Sequence, residues 1–274
     1  GKSIRSFNNK IYNKKLPKIS KVKDINWKNL NIIFTALPNG EAQKIAKFLP
    51  KSVKLIDLSA DFRIKNEKIY KKWYKKNHQC KYLIKKALYS ITEFTRVSLK
   101  KYNIVSCPGC YPTSIQIPLI PLIKNKMINK KNIIIDSKSG YSGGGKNIDK
   151  KFSNLYNSVS AYGVGRHRHM AEIDQELSIA AKKKIKVSFT PHIMPMFRGI
   201  LSTIYLDLAG EYSAFKIYKF LKAYHKNNYF VKIKKFNLPL GTDEVINSNY
   251  CNISVCENRN KKKVIIISAL DNLL

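Results

Sequence analysis

Residues 103–118 read N-I-V-S-C-P-G-C-Y-P-T-S-I-Q-I-P, and no other stretch limits the fold as tightly. Ile104 and Val105 are β-branched and predict a short buried strand. Pro108 and Gly109 force a sharp turn, because proline fixes φ and glycine accepts conformations closed to other residues. Helical character follows from Ser114 to Ile123. Cys110 therefore falls at or near a helix start. There, unpaired N–H groups and the positive end of the helix dipole are expected to favour thiolate over thiol. Strand, tight turn, cysteine, helix is an arrangement that can make a nucleophile. A buried structural thiol is the ordinary alternative for a free cysteine. Cys107 and Cys110 also spell C-x-x-C, a redox pair or half a zinc site. No second C-x-x-C accompanies it, and no metal is expected.

The flanking sequence supplies a scaffold. Leu30 to Leu37 and Val53 to Leu58 read as buried strands, and Glu41 to Leu49 and Ile69 to Lys76 as helices, ahead of the strand at Asn103 to Val105. Alternating strands and helices predict a parallel α/β sheet, whose chemistry gathers at the C-terminal strand ends. Leu37-Pro38-Asn39-Gly40, Ser59 to Arg63 and Cys110 all fall there. Beyond the cysteine the pattern changes. Strands are expected at Asn132 to Asp136, Val187 to Thr190, Gly199 to Leu208, Phe230 to Ile233, Tyr250 to Val255 and Val264 to Ala269. Helices are expected at Met170 to Ala181 and Ala214 to His225, with a loop at Pro191 to Met196. Many strands with few helices suggest a mixed or antiparallel sheet, so a second, α+β domain begins near Gly109.

The chain has 274 residues and a formal charge of +35. Such a charge raises nucleic-acid or membrane-surface binding. Yet only seven of the 52 basic residues are Arg and 45 are Lys, in scattered runs and with no zinc-finger, RRM or basic-zipper pattern. A compositional bias spread over every surface accounts for it better, and no nucleic-acid partner is expected. No apolar run is long enough to span a membrane. Five cysteines, an odd number without a signal peptide, point to a reducing cytoplasm. The chain opens on Gly1 instead of Met, which suggests a processed or partial chain.

Four further clusters could carry chemistry. Arg166 to His169 reads R-H-R-H in a chain poor in Arg. Guanidinium forks suit carboxylate or phosphate, and histidine is the natural acid/base partner for a cysteine; a basic surface cluster is the plain alternative. His192 and Arg198 pair the same types again. Gly140 to Gly145, followed by Lys146, would let backbone N–H groups approach a phosphate. Arg63 is a candidate ligand clamp, with Asp61 orienting it.

These segments together resemble a known family. P-G-C-Y-P-T at Pro108 to Thr113 resembles the active-site signature of the N-acetyl-γ-glutamyl-phosphate reductases. D-L-S-A-D-F-R at Asp57, S-G-Y-S-G-G-G-K at Ser139, G-R-H-R-H-M-A-E-I at Gly165, F-T-P-H-I-M-P-M-F-R-G-I-L at Phe189 and L-P-N-G at Leu37 resemble its other motifs, in its order. The resemblance implies NADPH-dependent reduction of an acyl phosphate, N-acetylglutamyl 5-phosphate, to the semialdehyde through a thioester on Cys110. His169 would be the acid/base, with His167 the second choice. Arg63, Tyr111, His167, Arg168, His192 and Arg198 would meet the substrate. Leu37, Pro38, Asn39, Gly140, Ser142, Gly143, Gly144 and Asn272 would line the cofactor cleft. It further implies a partial Rossmann-like cofactor domain over residues 1–108, a catalytic and dimerisation α+β domain over 109–274, and a homo-oligomer, dimer or tetramer. Two departures stand out. The family's N-terminal strand with its glycine loop, and its C-terminal helix, are both missing, which predicts weak NADPH binding. Cys107 stands where the family commonly has Asn, leaving a second thiol able to bridge to Cys110 under oxidation. The alternatives are an aspartate-semialdehyde dehydrogenase-like reductase, or a non-catalytic basic relative that binds nucleic acid.

Overall fold

A computed structural model of the chain describes residues 18–144 and 158–272. Its first unit is a four-stranded, all-parallel sheet. The strands are β1 (Ile32–Thr35), β2 (Lys54–Asp57), β3 (Ala87–Tyr89) and β4 (Ile104–Ser106), in the order β1-β2-β4-β3. Helices α1 (Glu41–Ala46), α2 (Glu67–Tyr74), α3 (Lys81–Ile84) and α4 (Thr92–Thr95) lie between them. The expected strands and helices are present: β1, α1 and β2 are shorter than expected, while α2 and β4 keep the expected length and are shifted by one or two residues. β3, α3 and α4 were not foreseen, because three or four residues are too few to show a period. Leu55, Phe62, Ala87 and Ile104 form the small core of this unit.

Two aspartates of D-L-S-A-D-F-R staple its strand ends. Asp57, fully buried at the end of β2, accepts hydrogen bonds from the Thr35 hydroxyl (2.9 Å) and the Ser59 hydroxyl (2.6 Å). Asp61 does not orient Arg63 as expected. Its carboxylate accepts from the Asn39 side chain (2.8 Å) and from the N–H groups of Gly40 (2.7 Å) and Gln43 (3.3 Å), closing the turn into α1. Gly40 sits there at φ +101°, a conformation that suits only glycine well.

The second unit is a seven-stranded mixed sheet. Its strands are β5 (Ile134–Gly140), β6 (Ser160–Ala161), β7 (Ser188–Met194), β8 (Ile200–Asp207), β9 (Val231–Ile233), β10 (Cys251–Glu257) and β11 (Lys263–Leu270), in the order β6-β7-β5-β8-β11-β10-β9. Helices α5 (Cys110–Lys124), α6 (His169–Ala181) and α7 (Ala214–Tyr224) cover one face. The main core lies between, with Ile115, Leu119, Leu122, Ile135, Ile173, Ile204, Ile217 and Ile266 essentially inaccessible. A buried serine ladder fastens α5 to the sheet: Ser114 meets Ser202 at 2.8 Å, and Ser202 meets Ser137 at 2.8 Å. On the other face, Ile134 is 51% and Tyr205 39% exposed. β7 replaces the loop expected at Pro191 to Met196. Its parallel register on β5 carries the strand through Met194, and Pro191 is tolerated because its neighbour β6 is only two residues long.

Candidate active site

Cys110 is the first residue of α5, four residues earlier than the sequence pattern suggested, and Gly109 is its N-cap. β4 ends at Ser106, so the turn takes three residues. Cys110 is 9% exposed. The expectation of a thiolate fails here. Burial pushes the Cys110 thiol up to about 11; backbone hydrogen bonding and Arg63 pull the other way without overcoming it. The helix start is real, but desolvating a charge costs more than a first turn of N–H groups returns.

His169 opens α6 and its ring lies directly on Gly109. A Cβ at Gly109 would stand 2.4 Å from His169 Nε2, so only glycine admits this approach. The imidazole is held well below its ordinary range, first by burial, then by His167, Arg63 and Arg168. Its buried Nδ1 has no hydrogen-bond partner among the described residues. His167 packs edge-on against it, centroids 4.8 Å apart, and accepts the His169 N–H at Nδ1 (3.3 Å). The resting pair is thus a thiol beside a neutral imidazole. That pair can pass a proton as a bond forms at sulfur, and is not a preformed ion pair.

Glu172, three residues into α6 from His169 and fully buried, is a site residue that sequence reasoning misses. Oε2 accepts the Gly109 N–H (3.0 Å) and the Tyr89 hydroxyl (3.3 Å). Oε1 pairs with Arg63 Nη1 at 3.3 Å and lies 3.9 Å from His169 Nε2. The signal that would have found it is the i, i+3 spacing, which puts His169 and Glu172 on one helix face.

The remaining predicted residues divide. Arg63 is 5% exposed, and its guanidinium is committed: to Glu172, to the Cys107 carbonyl (2.7 Å) and to the Leu58 carbonyl (2.9 Å). It braces the cysteine turn and is not the open substrate clamp expected. Tyr111 is 2% exposed, with its hydroxyl accepting from Tyr162 (3.1 Å), and it forms a wall beside both histidines. His192 is not brought to Cys110 at all. Strand alternation turns its side chain to the face of the sheet away from α5, where Nδ1 lies 3.5 Å from Asp136. Arg168 is exposed just ahead of α6. Arg198 pairs with Asp271 (2.9 Å), and Asp271 shares with Cys110, Thr113 and Tyr250 a cleft of about 180 Å³.

Among the cofactor candidates, Leu37 and Pro38 are exposed beyond the end of β1, while the Asn39 amide is taken by Asp61 and the Tyr70 hydroxyl. Asn272 is 3% exposed and saturated. Its amide donates to Gly140 O (2.8 Å) and Ser139 Oγ (3.2 Å), and accepts from Gly199 N–H (2.9 Å) and Ser142 Oγ (3.0 Å). It locks the glycine turn. Gly140 is required for chain packing, since a Cβ there would meet Phe197 O at 2.6 Å. Gly143 and Gly144 are exposed; Gly145 and Lys146 lie outside the described residues. Among the described residues no group of three or more His, Cys, Asp or Glu could hold a metal ion, and no helix is long and apolar enough to cross a membrane.

A parallel nucleotide-binding-type sheet joined through a cysteine turn to a mixed sheet is the plan of the semialdehyde dehydrogenase class. The model for the NAD binding domain of that class matches residues 1–102, and the model for its dimerisation domain matches residues 110–272. Within the class, the chain is 44% identical over its full length to the probable chloroplastic N-acetyl-gamma-glutamyl-phosphate reductase of Arabidopsis thaliana, spanning 69% of that protein. It is 43% identical to the rice counterpart over 94% of this chain and 63% of that one, and 44% identical to the N-acetyl-gamma-glutamyl-phosphate reductase of Desulforamulus reducens over 90% and 72%. The chain belongs to the N-acetyl-γ-glutamyl-phosphate reductase family. Among solved structures, aspartate semialdehyde dehydrogenase II from Vibrio cholerae superposes with a TM-score of 0.66 at 14% identity, covering 92% of this chain and 77% of that one. A probable aspartate-semialdehyde dehydrogenase from Pseudomonas aeruginosa gives 0.67 at 12%, covering 93% and 78%. At such identities the likeness establishes the fold alone.

Proposed function

We propose that the chain reduces N-acetyl-L-glutamyl 5-phosphate to N-acetyl-L-glutamate 5-semialdehyde, a step of arginine biosynthesis, with NADPH as the hydride donor. The observation that carries this reading is the His169 ring seated on the glycine before Cys110. The sequence relatives at 43–44% identity bear the reductase name, whereas the aspartate enzymes share only the fold; this favours the acyl phosphate of the longer acid.

Cys110 Sγ attacks the acyl carbon while its proton passes to the neutral imidazole of His169. The carbonyl re-forms, the bond to phosphate breaks and phosphate leaves, taking up a proton from solvent, to give a thioester on Cys110. Reduction of that thioester carbon and return of the proton from His169 to sulfur release the aldehyde and restore the thiol. The partly exposed Arg198 and exposed Arg168 supply charge for the anionic substrate, and the Arg63–Glu172 pair holds the turn. NADPH supplies the hydride when bound. The residues suit such a group in two places: the open C-terminal end of the parallel sheet, where Leu37 and Pro38 are exposed, and the turn after β5, where Gly143 and Gly144 present backbone without side chains. The division into a cofactor unit and a catalytic unit is placed at residues 108/109. The open face of the large sheet, with Ile134 and Tyr205 exposed, is where a second copy would pack in a homo-oligomer. All five cysteines are free, which suits a reducing compartment, and the cytoplasm is proposed.

Cys110→Ser tests the chemistry. It should abolish NADPH-dependent turnover of the acyl phosphate and leave the melting temperature within a few degrees. Full activity in that variant would remove the thioester from the scheme.

A further inference from the structure

Glu172 makes and breaks no bond in the reaction just described, yet it is the side chain on which the site converges. Its carboxylate joins four parts of the molecule: the segment after β2 through Arg63, β3 through Tyr89, the cysteine turn through the Gly109 N–H, and α6 through its own backbone. α5 joins as well, because Gln116 Nε2 donates to the Tyr89 hydroxyl (3.0 Å) and to the Glu172 carbonyl (3.4 Å). The first turn of α6 therefore grips one peptide group from two directions. The Glu172 carboxylate binds the N–H of Gly109, and the His169 ring covers its Cα.

We propose that Glu172 is a positioning residue that fastens the nucleophile turn beneath His169 and, by cancelling the charge of Arg63, keeps that guanidinium from drawing the proton off Cys110 in the resting protein. This rests on Cys110 and His169 acting as nucleophile and base. The charge argument follows from placement. Arg63 and Glu172 are both buried, face each other at 3.3 Å, and pull Cys110 in opposite senses. A buried pair of opposite charges nearly cancels at a third group; removing either member exposes that group to the full field of the other. The pair is also faced by Asp57, Tyr74, Tyr89, Cys107 and Glu176, and other charged or titratable groups lie around the site. These are His167, His169 and Arg168 at α6, Tyr111 and Tyr162 beside the turn, and Glu93 and Asp271 across the cleft. A resting thiol has a purpose in such a site: it resists oxidation and stray alkylation until substrate arrives.

The test is the pH dependence of iodoacetamide labelling at Cys110, read from the mass of its peptide, in the unmodified chain and in Glu172→Gln, Arg63→Gln and the double variant. Glu172→Gln should lower the labelling midpoint by about one pH unit or more, since an opposite charge so close shifts a group by that much. Arg63→Gln should raise it, and the double variant should return it toward the starting value. Loosening of the fold moves every variant downward, so opposite shifts from the two single variants separate electrostatics from damage. Cys80, fully buried in the first unit, is the internal control and should stay unlabelled in a folded variant. Glu172→Asp keeps the charge but withdraws it from Gly109. It should leave the midpoint in place while kcat falls tenfold or more at unchanged KM. A midpoint unmoved or raised in Glu172→Gln, one lowered in Arg63→Gln, or full kcat in Glu172→Asp would each overturn the proposal. Should Glu172→Gln fail to fold, the direction of the Arg63→Gln shift decides. Labelling needs neither substrate nor hydride donor, so absence of turnover in the unmodified chain would count against the reaction and not against Glu172.

Discussion

Replacing Gly109 by Ala adds one methyl group at the point where two secondary-structure elements meet. Gly109 has φ −71° and ψ 162°, open to any residue, so the backbone imposes no penalty. The cost is steric. The new Cβ would stand 2.4 Å from His169 Nε2, 2.7 Å from Cε1 and 2.9 Å from Cδ2, where ordinary contact begins near 3.4 Å. The ring must retreat by about 1 Å. Its lateral escape is limited, with Tyr111 edge-on at 6.0 Å and His167 at 4.8 Å between centroids. Displacements of that size between reacting groups cost about a hundredfold in rate, or about 2.7 kcal/mol in the barrier. Stability should suffer less. Overpacking costs about 1–3 kcal/mol, partly offset by about 0.4–1 kcal/mol from the lower chain entropy of unfolded Ala relative to Gly. The assay pairs steady-state kcat/KM for the acyl phosphate with a thermal melt. A fall near a hundredfold in a protein that still melts cooperatively within several degrees of the parent is expected. If Gly109→Ala kept kcat/KM within about threefold, His169 would not be seated as described, for a shift of 1 Å could not then be so cheap.

Two further outcomes follow from buried polar groups. His167 and His225 are both pushed down to about 4, chiefly by burial, against an ordinary 6.5. Each favours the fold only while neutral. That stability is present above about pH 6.5 and is lost as pH falls toward 4, on the order of 3 kcal/mol for a fully buried ring. A melting temperature that drops through this window, with a shallower slope in His225→Asn, is expected; a flat profile would contradict it. Asn272→Ala leaves Ser139, Gly140, Ser142 and Gly199 short of partners and should cost about 2–4 kcal/mol in denaturant unfolding. Asn272→Asp, which cannot donate to the Gly140 carbonyl, should do no better, and a variant as stable as the parent would refute the locking role.

Much of the architecture was legible because it is written in local patterns. β-branched runs marked β4, β5 and β11, alternation marked β8, and Pro108-Gly109 marked the turn, since each depends on neighbours a few residues apart. The errors fall where local pattern has no hold. α5 runs through Pro118 and Pro121 and begins at Cys110, because packing of an almost wholly buried helix overrides propensity. His192 read as a loop residue because Pro191 obscured β7, and that one misassignment sent the side chain to the wrong face of the sheet.

Cys110, His169 and the motifs around them are determined by the sequence alone: residue type and order suffice to place a nucleophile on a strand-to-helix turn and to mark the family. Whether Cys110 rests as thiol or thiolate, and whether Arg63 meets substrate or a buried carboxylate, only the tertiary structure decided. Charge state depends on burial and on charges brought close by folding. Here those come from residues 63, 110 and 172, which the chain holds far apart and the fold brings into one another's field.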